Sequence, residues 1–293
     1  VGTGIFKLQN VIQEYPWGSI SYISDFLGKE NPEKIPQAEM WMGMHPRGES
    51  KVSIGKRGIP LSSLVEENPA AILGTGLSEQ FGGKLPFLFK VLAAGKPLSI
   101  QAHPSLEQAG EGFARENGAG IPLDAPHRNY RDDNHKPELI YALTPFWALR
   151  GFRPIDEILV EFLSLNLTEI SLELDEFKHR PDREGLKSFF QSLMTLNSEK
   201  RQRLVAQVLA AVDGRIEPVY QWVKKLQREY PNDTGILCPL LLHCIKLEPG
   251  TAMFLPAGEL HAYLEGFGIE LMANSDNVLR GGLTSKHIDV PEL

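Results

Sequence analysis

Between Pro154 and Tyr230 the chain all but loses its glycines and sets its apolar residues at helical intervals, whereas glycine and proline break the flanking sequence into short apolar runs. Ile155, Ile158, Leu159, Phe162 and Leu163 recur along one helix face, as do Leu186, Phe189, Phe190 and Leu193, and then Leu204, Val208 and Leu209. A block of amphipathic helices cannot continue a sheet. The two strand-like flanks are therefore expected to meet in space as one sheet system, with the helices leaving it as an insertion. This predicts a mainly β fold with α: a barrel domain from residues 1–153 and 232–293, and a helical insertion over 154–231. Pro231-Asn232-Asp233-Thr234-Gly235 reads as the turn that leaves the helices.

In the first flank, residues 84–92 read as one strand, Gly95-Lys96-Pro97 as a turn and 98–103 as the next strand, with a short helix near 62–73. In the second, 240–247 reads as a strand, Pro249-Gly250 as a turn and 252–255 as a strand. The 293 residues, 42% hydrophobic and 23% charged, suit a soluble globular protein. A net charge of −7 argues against a general nucleic-acid binder, which needs a basic face. It leaves room for a small anion, which a few local Lys and Arg can hold. Cys238 and Cys244 are the only cysteines and are expected to be two reduced, buried thiols. No apolar stretch is long enough to span a bilayer, and VGTGIFKLQN lacks the features of a signal peptide, so a cytoplasmic location is expected.

Two motifs carry candidate metal ligands. Gly95 is followed after five residues by Gln101 and then His103; Gly250 is followed after five residues by Pro256-Ala257-Gly258 and then His261. Gln101 and His103, two apart on a strand, leave the same face. Glu138 follows Pro137 and adds a carboxylate. Two imidazoles, one carboxylate and one amide oxygen, without thiolate, suit one Zn²⁺ per chain with an open position; Fe²⁺, Mn²⁺ and Co²⁺ fit the same donors. Glu107, four residues after His103, is the alternative carboxylate and ranks second.

Six stretches extend this reading: Gln13-Glu14-Tyr15-Pro16-Trp17-Gly18, Ala38-Glu39-Met40-Trp41-Met42-Gly43, Gln101-Ala102-His103-Pro104, Asn129 through Glu138, His261-Ala262-Tyr263, and Asn274 through Thr284. In these the chain resembles the type I phosphomannose isomerases of the cupin superfamily, over nearly its whole length. The resemblance implies a cupin (jelly-roll) barrel, zinc held by Gln101, His103, Glu138 and His261, and interconversion of mannose 6-phosphate and fructose 6-phosphate. It also implies an active-site role for Arg280 and active-site positions for Trp17, Glu39, Ser99, Lys136, Tyr263, Glu270, Asp276 and Lys286. Family members usually continue into a second cupin domain, whereas this sequence stops at Leu293, so a short form or an omitted portion is expected.

The reaction needs a base for a carbon-bound proton, a group for the enediolate oxygen and cations for the phosphate. Lys136 lies two residues from Glu138, on the same face of an extended segment, and a neighbouring dication disfavours its ammonium form. Glu270, on a predicted strand at 268–272, is the competing base. Lys136 is expected to move protons on the oxygens, while Glu270 or a zinc-bound water serves the carbon. Arg280 and Lys286 flank Gly281-Gly282, where the backbone can approach a ligand closely. Trp17 and Trp41 are candidates for stacking on a sugar, Trp41 equally for the core, and Ser99 shares the face of Gln101. A small phosphorylated sugar is the expected partner, with no nucleic acid and no membrane, for a monomer or weak homo-oligomer. The alternatives, a non-catalytic sugar-binding cupin and a metal-dependent cupin oxygenase, have no use for Lys136, Glu270 and Arg280 together.

Overall fold

The computed structural model describes residues 5–55 and 57–293; the first four residues of the expected barrel segment lie outside the described residues. Ten strands make the main sheet: β1 (Val11–Gln13), β2 (Glu39–Met42), β3 (Phe87–Ala94), β4 (Ile100–Ala102), β5 (Glu138–Ala142), β6 (Phe146–Phe152), β7 (Leu242–Leu247), β8 (Ala252–Leu255), β9 (His261–Ala273) and β10 (Leu279–Gly282). Strands β3 and β9 are the longest, and β9 is the hinge of the fold. Its first residues pair with β4 and β6, while its later ones pair with β3 and β5. The ladder thus divides into two antiparallel sheets, β8-β5-β9-β3-β2-β1 and β10-β4-β9-β6-β7, that share one strand. The sheets and the helical insertion expected from the sequence are both present, in a mixed α/β architecture.

Alternation along β9 resets part-way. In an unbroken strand Tyr263 and Glu270, an odd number of residues apart, would face opposite sides of the sheet. The register to β6 shifts between Tyr263 and Glu265, and Gly266 sits at φ +143°. Both side chains consequently reach the same cavity. Gly266 also lies against Phe146, where a Cβ would stand 2.6 Å from the ring. Only glycine meets both demands.

Between the sheets Leu92, Ile140, Phe146, Ala148, Met253, Leu255 and Tyr263 form one buried cluster. The larger core lies outside the second sheet, where Ile100, Leu149, Ala262 and Leu264 meet the helices. Those helices, Ile155–Ser164, Ser171–His179, Arg183–Met194, Ser198–Ala211 and Pro218–Glu229, bury Ile158, Phe162, Phe189, Leu204 and Val223. Phe162 and Phe177 both pack on the Phe189 ring. Asp182 and Asn197 cap two of the helices by accepting from Gly185 N and Lys200 N.

Several boundaries move from the expected places for local reasons. The strand expected at 84–92 runs Phe87–Ala94 instead, since Pro86 has no N–H for the ladder. The helix expected near 62–73 splits into Leu61–Glu67 and Pro69–Leu73, because Asn68 precedes a proline and is non-helical, and its side chain caps the second piece through Ala71 N. The strand expected from 240 begins at Leu242, after the single helical turn Cys238–Leu241. Both cysteines are free thiols; Cys238 is buried as expected, whereas Cys244 is only half-buried. Among the described residues no helix is long and apolar enough to cross a membrane.

Candidate metal centre and substrate cavity

Strand register assembles the site. Gln101 lies opposite His261 on one side and opposite Arg280 on the other, so these three positions share a face of the sheet. His103 follows immediately after β4, and Glu138 opens β5. Ligand atoms of His103, Glu138 and His261 lie within 4.8 Å of one another, and all three residues are buried. His103 Nε2 stands 3.2 Å from Glu138 Oε1, and His261 Nε2 stands 3.4 Å from Glu138 Oε2. Neither Nε2 has a hydrogen-bond partner.

The other ring nitrogens explain why. His103 Nδ1 is 2.8 Å from Asn277 O, and His261 Nδ1 is 2.9 Å from Glu259 O. A carbonyl only accepts, so each Nδ1 carries the proton and each Nε2 presents a lone pair. Burial, with the nearby Lys136 charge, lowers the His103 pKa to about 4, which keeps the ring neutral. Glu138 is ionised: burial opposes that, but the Lys136 charge outweighs it and holds the carboxyl well below its usual range. Two lone pairs and a carboxylate converging in a buried space repel one another unless a cation lies between them. The residues therefore fit a divalent metal, and the half-buried Gln101 adds an amide on the same face. Glu107 lies exposed in the first turn of the helix Leu106–Gly118 and takes no part.

Beside the cradle lies a cavity of about 580 Å³, lined by every expected site residue other than the two histidines: Trp17, Glu39, Ser99, Gln101, Lys136, Glu138, Tyr263, Glu270, Asp276, Arg280 and Lys286. Lys136 Nζ is 3.0 Å from Glu138 Oε1. Deeper in, Lys90 bridges two carboxylates, at 3.1 Å from Glu39 Oε1 and 2.9 Å from Glu270 Oε2. Trp41 is buried, and its Nε1 donates to Glu39 Oε2 at 2.8 Å, so this ring belongs both to the core and to the wall of the site. Burial raises the Glu270 pKa against the pull of Lys90, with Glu138 and Glu39 adding to the rise. Tyr263 is buried with a hydroxyl that has no hydrogen-bond partner, and burial together with Glu270 keeps it protonated.

The mouth has the opposite character. Among the described residues Arg131, Arg280 and Lys286 have no carboxylate at ion-pair distance, although all three line the cavity. Burial and then Arg131 lower the Arg280 pKa; burial, Arg280, Arg131 and Arg47 lower that of Lys286. Cations that depress one another without a counter-ion make an anion site. Arg47 differs, being paired with Asp276, which also meets His45 Nε2 at 3.4 Å. The insertion closes one side: Lys96 pairs with Glu229 at 3.2 Å, and the Tyr230 hydroxyl donates to Pro97 O at 2.6 Å.

Lys90 and Arg131 are the two functional candidates that reading the sequence did not single out. Lys90 carries a signal nonetheless, as the one charge inside the apolar strand Phe87–Ala94. Arg131 stands in a polar loop next to two aspartates, and nothing local marks it.

A shared-strand barrel holding a buried pair of imidazoles and a carboxylate beside a polar cavity defines a metal-binding cupin. Residues 5–155 match the description "Phosphomannose isomerase type I, catalytic domain", and residues 166–242 match "Phosphomannose isomerase type I, helical insertion domain". The chain is 46% identical over 288 residues to the mannose-6-phosphate isomerase of Escherichia coli (strain K12), covering 98% of this chain and 73% of that protein. It is 38% identical over 317 residues to the Homo sapiens mannose-6-phosphate isomerase, covering 99% and 72%. The crystal structure of the Salmonella typhimurium enzyme bound to substrate (F6P) and zinc superposes with a TM-score of 0.92 at 44% identity, over 98% of this chain and 73% of that one. A holo, zinc-bound mannose 6-phosphate isomerase gives 0.93 at 44% identity, over the same shares. The chain belongs to the type I phosphomannose isomerases.

Proposed function

We infer that this chain is a zinc-dependent aldose–ketose isomerase that interconverts mannose 6-phosphate and fructose 6-phosphate through an enediolate. One observation carries the reading beyond family membership. A buried cradle for a divalent metal and an unpaired cluster of three cations border one cavity of about 580 Å³, room for a hexose phosphate.

We assign zinc to Gln101, His103, Glu138 and His261, within a catalytic domain of residues 1–153 and 232–293 that carries the insertion 154–231. Bound there, zinc supplies Lewis-acid polarisation and orientation of the sugar oxygens. Arg131, Arg280 and Lys286 take the phosphate, and Trp17 offers its ring to the sugar. Glu270 removes the proton from C2 of the aldose and returns it to C1; its raised pKa brings it closer to the pH at which it must both accept and release. Lys136 carries the matching proton from O2 to O1. Tyr263, protonated and without a partner, donates to a sugar oxygen. Lys90, held by Glu39 and Glu270, keeps the base in place.

Two free cysteines suit a reducing cytoplasm, where we place the enzyme as a monomer or weak homo-oligomer whose ligand is a small phosphorylated sugar. The base assignment is tested with Glu270→Gln in deuterium oxide. Loss of exchange at C2 with zinc retained supports it, and unchanged exchange removes Glu270 from the role.

A further inference from the structure

Asn277 has no exposed surface and touches two parts of the site at once. Its backbone carbonyl accepts the His103 Nδ1 proton at 2.8 Å, the contact that turns Nε2 toward the metal cradle. Its side chain grips the loop that leads into β5. Asn277 Oδ1 accepts from Arg131 N at 2.7 Å and Asp132 N at 3.2 Å, while Nδ2 donates to Asp132 O at 2.8 Å and Asn134 O at 2.9 Å. Three donations, the third to Asp132 Oδ1 at 3.3 Å, and two acceptances use all that one carboxamide offers. A carboxylate could not donate, and a hydroxyl could not reach four partners.

The grip is reinforced around it. Asp132 Oδ1 accepts from the Ser275 hydroxyl at 2.7 Å, and Asp132 Oδ2 from Asp276 N at 2.7 Å. The Ser275 hydroxyl oxygen in turn accepts from Asn277 N at 3.2 Å. The loop so held carries Arg131, a member of the unpaired cation cluster, five residues before Lys136. A shift of Asn277 would therefore move a metal ligand and an anion ligand together.

We propose that Asn277 is a positioning residue that joins the metal cradle to the cation cluster, its carboxamide setting the affinity for zinc and for a phosphate-like dianion alike. The zinc half stands on the geometry around His103; the anion half rests on the functional reading above. The two halves are measured separately, in the full chain. Zinc affinity is read by chelator competition, and anion affinity by calorimetric titration of inorganic sulfate into zinc-loaded protein, for wild type, Asn277→Ala, Arg131→Ala and the double variant.

Asn277→Ala keeps the backbone carbonyl behind His103 but frees it to shift, and is expected to weaken zinc by about tenfold, the lower end of the effect of disturbing support behind a ligating histidine. It should weaken sulfate by roughly tenfold, a loss that disappears when Arg131 is already alanine, because both substitutions then remove the same contact. Ser275→Ala, a milder break in the same network, should show both effects at smaller size and keeps the test open if Asn277→Ala does not fold. Zinc and sulfate affinities unchanged beside a lowered melting temperature would overturn the proposal, as would a sulfate loss of equal size with and without Arg131. A wild-type chain that binds no sulfate would contradict the functional reading, and the zinc titration would then decide the role of Asn277 alone.

Discussion

Lys90 and Glu270 sit directly opposite each other on adjacent strands, and their side chains meet at 2.9 Å inside the barrel. Burial alone would lower the lysine pKa, yet Glu270 and Glu39 outweigh it and hold the ammonium above its usual range. The charge is therefore permanent at any pH of interest. It is what allows two buried carboxylates to stand side by side next to the metal cradle.

Lys90→Met removes that charge and leaves Glu39 and Glu270 facing each other. The Glu270 pKa, already raised by burial, should rise further, so the acid limb of kcat/KM against pH moves to higher pH. Stability should fall by about 3 kcal/mol, as when one partner of a buried pair is lost. An acid limb that stays in place would show that Glu270 is not the group titrating there.

Asp276 supports an acid-stability prediction. Burial would raise its pKa, but His45 and Arg47 outweigh this and lower it to about 2 from an ordinary 3.8. A carboxyl with a depressed folded-state pKa stabilises the fold above its unfolded value, and the contribution fades as pH falls through the folded one. The difference in unfolding free energy between wild type and Asp276→Asn should be constant near neutrality and close between about pH 4 and pH 2. Urea titrations across that window check it; a difference that does not change with pH contradicts the pairing.

Gly266→Ala tests the reset in β9. At φ +143°, and with the new Cβ 2.6 Å from Phe146, the substitution should cost roughly 2–4 kcal/mol. It should lower kcat by more than its loss of stability explains, because Tyr263 and Glu270 share the cavity through that irregularity. A variant with wild-type stability and rate would mean that the strand tolerates regular alternation.

The two thiols should be inert. Burial pushes Cys244 up to about 12, and burial, with Asp233, raises Cys238 further. Native protein should give no prompt reaction with a thiol reagent at pH 8, and both should react after denaturation. Prompt reaction of either thiol in the native state would show it to be accessible.

How much of this was legible in the sequence differs by residue. The helical block announced itself, because Ile158, Phe162 and Phe189 repeat at helix spacing and bury that face. Strand β8 was legible from its Pro-Gly turn, and the nearness of Lys136 to Glu138 from their spacing of two. Lys90 was missed because an apolar strand was read for its hydrophobic pattern and its single charge passed over. The shared orientation of Tyr263 and Glu270 was not readable, since simple alternation puts them on opposite faces and only the shift near Gly266 reconciles them. Arg131 and Asn277 act through contacts between loops 146 residues apart in the chain, which no local pattern encodes.

The most direct test is the rate at which this 293-residue chain converts mannose 6-phosphate to fructose 6-phosphate, measured as isolated, after chelation and after adding back zinc. The rate should fall with the chelator and return with zinc. A folded, zinc-loaded chain with no rate, or a rate indifferent to chelation, would contradict zinc-dependent isomerisation.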